Sequence, residues 1–171
     1  ERNLAAATYA AAGRLDRART EYEKVLEAKP GDTATLLNLA RLDLQERKGD
    51  AAAKRLRAVL AADQKNLAAQ LGMATVARLR GDAKDAAQWM SRVAADHADS
   101  LPAMLAVTQF YLATRDYGQA VQAANAAVRL GPDSAAALNM RGLAQLGSGD
   151  GAAAITSLQQ AVQKSPQAMG Y

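Results

Sequence analysis

Residues 13–30, GRLDRARTEYEKVLEAKP, return through the chain in altered wording every 34 residues. Within this stretch Leu15, Ala18, Tyr22, Val25 and Leu26 follow the i, i+3, i+7, i+10, i+11 spacing of one apolar helix stripe, not the alternation of a strand. Gly13 precedes the helix. Pro30 stops it, since proline lacks a backbone N–H and its ring clashes one turn back. At the same interval Pro30 is followed by Gln64, Ala98, Pro132 and Pro166, and Ala18 by Ala52, Ala86, Ala120 and Ala154. Val25 is followed by Val59, Val93, Ala127 and Ala161. A register kept through five copies without a slip implies one supersecondary unit, stacked so that each copy buries its face against the next.

Five such units account for 170 of the 171 residues. One elongated domain over residues 1–171 is therefore expected, with units 1–32, 33–66, 67–100, 101–134 and 135–171. Half the residues are hydrophobic but only 4% are aromatic, so alanine, the best helix former, supplies much of the packing surface. No run of 18 apolar residues occurs, which argues against a membrane span, and no signal peptide is visible. Glu1 falls in mid-pattern and Tyr171 just inside a further unit, so the chain reads as a piece of a longer array and its compartment stays open. The absence of cysteine removes disulfides and thiolate chemistry.

Each unit reads as helix, short turn, helix. First helices are expected at 3–12, 34–46, 68–80, 102–114 and 135–147, second helices at 15–28, 51–62, 83–95, 117–130 and 152–164. Asp16, Asp50, Asp82, Asp116 and Asp150 stand where second helices begin, suited to accept from free backbone N–H groups. Ser100 and Ser134 suit the starts of first helices.

These residues resemble the tetratricopeptide repeat. The fifth unit carries the likeness in LNMRGLAQLGSGDGAAAITSLQQAVQKSP, the second in Leu36-Leu37-Asn38-Leu39-Ala40 with Ala52, Leu56 and Val59. The family's small eighth residue is matched by Ala6, Ala40, Ala74, Thr108 and Gly142, and its alanine at twenty by the five alanines above. Its large apolar residue at twenty-four is matched by Tyr22, Leu56, Met90 and Leu158, with Ala124 departing. Its aromatic at eleven survives as Tyr9 and Tyr111, whereas Asp43, Ala77 and Gln145 replace it. The wording is also similar to long bacterial arrays, including lipoproteins of exopolysaccharide and exosortase systems; this would suit the bacterial cell envelope or periplasm, with the cytoplasm as the alternative. The resemblance implies an all-α, right-handed superhelical solenoid of five helix-turn-helix units. It implies first helices lining a concave groove and a non-catalytic scaffold that holds a peptide or partner protein.

By analogy with the family, groove positions recur in each first helix. They give Leu37, Asn38, Arg41 and Leu44, then Leu71, Thr75 and Arg78, then Leu105, Gln109 and Leu112, and finally Asn139. One reading is a groove for an apolar segment with Arg41 and Arg78 pairing to acidic groups; the other is that the leucines pack on neighbouring helices. A family clamp for a C-terminal carboxylate needs Lys and Asn where Asn3 and Ala7 stand, and Lys and Arg where Ala68 and Gly72 stand, so only Asn38 remains of it. Alternative roles are a structural spacer, self-association through array ends as a homodimer, or nucleic-acid binding by the basic second unit. Residues 33–66 hold seven basic side chains against four acids, yet no aromatic lies between Tyr22 and Trp89, so nucleic acid is not the expected partner. Residues 101–171 hold only seven charges.

His97 is the single histidine, and no nucleophile–base pair or phosphate loop is identifiable, so neither catalysis nor a cofactor or metal is expected. Gly147 to Gly151 read as an ordinary turn, and Trp89 as packing between repeats.

Overall fold

The structure, a computed structural model, describes residues 2–165. Pro166, expected to close the fifth unit, lies outside the described residues. Among these residues there are ten α-helices and no strand. First helices are α1 (Arg2–Ala11), α3 (Thr33–Gln45), α5 (Leu67–Leu79), α7 (Leu101–Ala113) and α9 (Ala135–Gly147). Second helices are α2 (Leu15–Ala28), α4 (Gly49–Ala62), α6 (Ala83–Asp96), α8 (Tyr117–Leu130) and α10 (Gly151–Lys164). The chain is thus an all-α helical-repeat solenoid in class.

Helix starts follow the register more strictly than expected. Asp32, Asn66, Ser100 and Ser134, spaced 34 apart, cap α3, α5, α7 and α9 by accepting from the backbone N–H three residues on. On the second helices Asp82, Asp116 and Asp150 do the same toward Asp85, Gln119 and Ala153. Asp16 and Asp50 do not cap. Four residues before Ala18 and Ala52 the cap places hold Arg14 and Lys48, which make no side-chain cap bond. The two aspartates lie instead in the first turn, where they still favour the positive end of the helix dipole.

The turn inside each pair is one geometry repeated. Gly13, Arg47, Gly81, Arg115 and Gly149 all take left-handed φ, from 58° to 90°. The next residue's N–H reaches back to Tyr9, Asp43, Ala77, Tyr111 and Gln145 carbonyls at 2.7–3.0 Å, closing the helix C-terminus.

Contacts divide the helices into two compact units, residues 1–89 and 90–171, with the division inside α6. In the first, α1 packs on α2, α2 on α3, α3 on α4 and α4 on α5, while α3 also touches α5. One cluster there joins Ala6, Ala18, Tyr22, Leu39 and Leu42; another is built on Ala40, Ala52, Leu56, Val59 and Met73. In the second unit α7 packs on α8, α8 on α9, α9 on α10, and α7 touches α9. The alanine rung Ala18, Ala52, Ala86, Ala120, Ala154 is at most 1% exposed throughout. Opposite it, a Cβ on Gly142 would lie 2.6 Å from Leu158 Cγ, so a side chain there would displace Leu158.

The left-handed arginines give the first prediction. A non-glycine residue in this region costs about 1–2 kcal/mol, offset in part by the backbone entropy a glycine loses. Arg115→Gly and Arg47→Gly therefore raise stability by about 0.5–1 kcal/mol each, and Gly81→Ala lowers it by about 1–2 kcal/mol. Thermal melts followed by circular dichroism check the signs; a lower melting temperature for Arg115→Gly would contradict the turn geometry.

Candidate functional site

The first unit contains a cleft of about 300 Å³ walled by α3 and α5 and floored by Leu56 of α4. Leu37, Asn38, Arg41 and Leu44 of the expected groove set line it from α3. From α5 come Ala68 and Gly72. Both stand at the family's clamp positions; a Cβ on Gly72 would lie 2.8 Å from the Leu56 methyls, so α5 packs close on that leucine. Asn3, at another clamp position, is bonded into the α3 cap: it donates to Asp32 and accepts from the Thr35 hydroxyl at 2.9 Å.

Leu71, Thr75 and Arg78 share one face of α5 but do not line this cleft. The Thr75 hydroxyl donates to the Leu71 carbonyl of its own helix at 3.0 Å, while Arg78 projects into solvent. In the second unit Leu105, Gln109 and Leu112 lie on α7 and Asn139 on α9. The five leucines of the set are half-buried, whereas Arg41, Arg78, Gln109 and Asn139 are exposed. Leu37 and Leu44 also pack against the core cluster around Leu56. Each leucine of this cleft therefore splits its surface between the fold and the opening. Leu56, Ala40, Ala68 and Gly72 were absent from the groove set read from sequence. Their signal was the same register read across two helices rather than along one.

The basic second repeat, residues 33–66, is less free than its charge suggests. Asp43, 1% exposed at the aromatic position, lies 2.8 Å from Arg55 Nε and 2.8 Å from Arg19 Nη1. The Arg55 contact is an aligned hydrogen bond; the Arg19 contact to Oδ1 is an ion pair without that alignment. Arg19 also pairs with Glu46, and Lys48 with the same carboxylate. The cluster ties α2, α3 and α4 together. Among the described basic residues of this repeat, Arg41, Arg47, Lys54 and Arg57 remain exposed without an ion pair.

Trp89 packs against the cluster built on Leu56 and Met73. His97 has Asp96 and Asp99 beside it in sequence, and no group of three or more metal-ligating His, Cys, Asp or Glu side chains occurs among the described residues. No helix among them is long and apolar enough to cross a membrane.

Profiles of the tetratricopeptide repeat match residues 9–76, 43–109 and 111–168. The chain belongs to the tetratricopeptide-repeat family. No curated protein matches it. Among solved structures it is similar to MamA, at TM-score 0.74 and 21% identity over 97% of both chains. It is similar to YrrB, described as a TPR protein with an unusual peptide-binding site, at TM-score 0.67 and 17% identity over 96% of this chain and 85% of that one. A thermophilic TPR protein of Thermus thermophilus matches at TM-score 0.69 and 19% identity, over 96% and 90%. At these identities the likeness is one of fold.

Two predictions follow from the buried polar groups. Asp43→Ala leaves Arg55 without its partner and Arg19 with Glu46 alone, and costs about 2–3 kcal/mol in chemical denaturation, while Asp43→Leu with Arg55→Leu recovers most of that loss. Acid acts on the same region. Lys48, then Arg19, holds the Glu46 carboxyl below its usual range; hydrogen bonds from Thr35 do so for Asp32. Groups lowered in the folded state stabilise it above their unfolded pKa and lose that contribution as pH falls through the folded value. Hydrogen exchange should show α3 and its neighbours loosening below about pH 4. Protection of α3 unchanged between neutral pH and that range would contradict these pairings.

Proposed function

We propose that the chain is a non-catalytic protein-interaction scaffold that holds an apolar peptide segment, or such a segment of a partner protein, on the faces of its first helices. The observation that carries this reading is the open cleft between α3 and α5, where half-buried leucines meet an exposed arginine. Family membership and the fold shared with YrrB, a protein described as having a peptide-binding site, support the coarser part, a protein-interaction scaffold. Covering the open half of a half-buried leucine contributes about 1 kcal/mol, and several such leucines act together, against about 0–1 kcal/mol for a single exposed ion pair. In the first unit affinity then comes from Leu37 and Leu44, with Leu71 beside them on α5, and orientation from Arg41 and Arg78 meeting acidic groups; Leu105 and Leu112 on α7 offer an apolar face of their own in the other.

A second reading, self-association as a homodimer or a spacer within a longer array, is favoured by a separate observation. Leu143, Leu146, Ile155 and Val162 on α9 and α10 are 44–60% exposed. Ile155 stands where Ala53 is fully buried in the second repeat.

Selection of peptides from a displayed random library separates the two. Peptides chosen on the wild type should bind Leu37→Asp and Leu44→Asp variants about tenfold more weakly or worse, with helicity retained. Unchanged binding overturns the groove. Sedimentation across protein concentrations tests the second reading: a dimer that Ile155→Lys dissociates supports it, and a monomer at all concentrations removes it.

A further inference from the structure

The first cleft is walled by first helices and floored by a second helix; another reverses the arrangement. In the second unit a cleft of about 300 Å³ lies between α6 and α8 and is floored by α7. Val107 and Tyr111 form part of its floor, Ala123 and Ala126 one wall, and Ser91, Gln119 and Gln122 its polar rim. None of the residues lining it is charged.

The 34-residue register shows what normally occupies this place. In the second pair it is Arg55, two repeats before Ala123, bonded to the buried Asp43. In the third it is Trp89, one repeat before Ala123, packed on the cluster that contains Met73 and Val76. In the fifth, Arg141, one repeat after Val107, reaches across to Ser157 and Gln160. The fourth pair has no such side chain. It carries Ala123 and Ala126 where the third carries Trp89 and Arg92.

The chemistry of the lining selects among possible occupants. The arginines elsewhere meet a carboxylate, or an amide and a hydroxyl held by a further amide. A guanidinium in the fourth cleft would meet no carboxylate, and a desolvated charge without a partner is strongly disfavoured. A neutral flat ring fits. Tyr111 stands where the third pair has Ala77, so the floor itself is aromatic and suits an offset or edge-on ring contact. Its hydroxyl lies 3.4 Å from Ser91 Oγ, and both, with the two glutamines, can accept from an indole N–H. The volume is at the lower end of the roughly 300–1,000 Å³ range of ligand sites, a size for one side chain.

We propose that this cleft binds an indole ring, the tryptophan side chain of a partner protein, seated where Trp89 sits in the preceding repeat. The site is on the opposite class of helix from the leucine groove and does not rest on it.

The test is a titration of the isotope-labelled chain with N-acetyl-L-tryptophanamide, followed by NMR, beside N-acetyl-L-leucinamide and N-acetyl-L-argininamide. Saturable shifts centred on Ala94, Val107, Ala123 and Ala126, at least about tenfold tighter for the tryptophan compound than for the other two, are expected. Ala123→Trp, which restores the third repeat's residue, and Ala126→Leu, which fills the wall with a neutral side chain, should each weaken that binding about tenfold or more. Ala126 is half-buried at the wall, so Ala126→Leu carries the test if Ala123→Trp fails to fold. Leu44→Asp, a change in the lining of the first cleft, should leave the titration unchanged, which separates this site from the groove. No saturable shift, equal binding of the leucine compound, or wild-type affinity in Ala126→Leu overturns the proposal.

Discussion

Close approach of helices along the alanine rung is the constraint on which the rest depends. Ala18, Ala52, Ala86, Ala120 and Ala154 are buried to within 1% of completely, facing Ala6, Ala40, Ala74, Thr108 and Gly142 across each pair. Small residues on both sides put backbones near enough for dispersion contacts to accumulate without large side chains. That is how a chain with 4% aromatic residues builds a core. The left-handed turn residue fixes the return of the chain, and the same 34-residue spacing that aligns the rungs aligns the turns. A one-residue slip would move both together off their partners.

With the backbone set by rung and turn, the space beside them can be filled in more than one way. The aromatic position and the residue twelve places later behave as a complementary set: Tyr111 with Ala123, Ala77 with Trp89, Asp43 with Arg55, Gln145 with Ser157. Asp43 and Arg55 are joined by an ion pair, and the Ser157 hydroxyl donates to Gln145 at 2.7 Å. One solution is apolar, one ionic, one a neutral hydrogen-bonded network. The ionic version falls in the charge-rich second repeat and the neutral one in the charge-poor fifth. Each buried polar atom needs its partner, so neither member can change alone.

The fold was legible because it rests on periodicity, which a sequence displays directly. Details that depend on the register as a whole were legible only in part. Gly13 and Gly81 announce a left-handed turn by their chemistry; Arg47 and Arg115 do so only by standing 34 residues from a glycine. Asp16 and Asp50 looked like caps because aspartate near a helix start is a cap by composition, yet they are two places past it. The α3–α5 cleft was half visible. Its leucines lie along one helix and show in the pattern, but its other wall is Ala68 and Gly72 on another, and sequence does not state how far apart two helices run.

A cleft of this kind gains from being built on packed helices. Leu37 and Leu44 are already held by the core on one side, so covering their other side orders little that is not ordered before a partner arrives. The opposite holds for Arg41, whose long side chain is solvated until an acidic group fixes it. Apolar burial at a preorganised wall and charge at a mobile rim thus divide the work by physical necessity. A partner that supplies only charge meets the part of the surface that costs most to immobilise, and one that supplies only apolar bulk meets nothing that sets its direction.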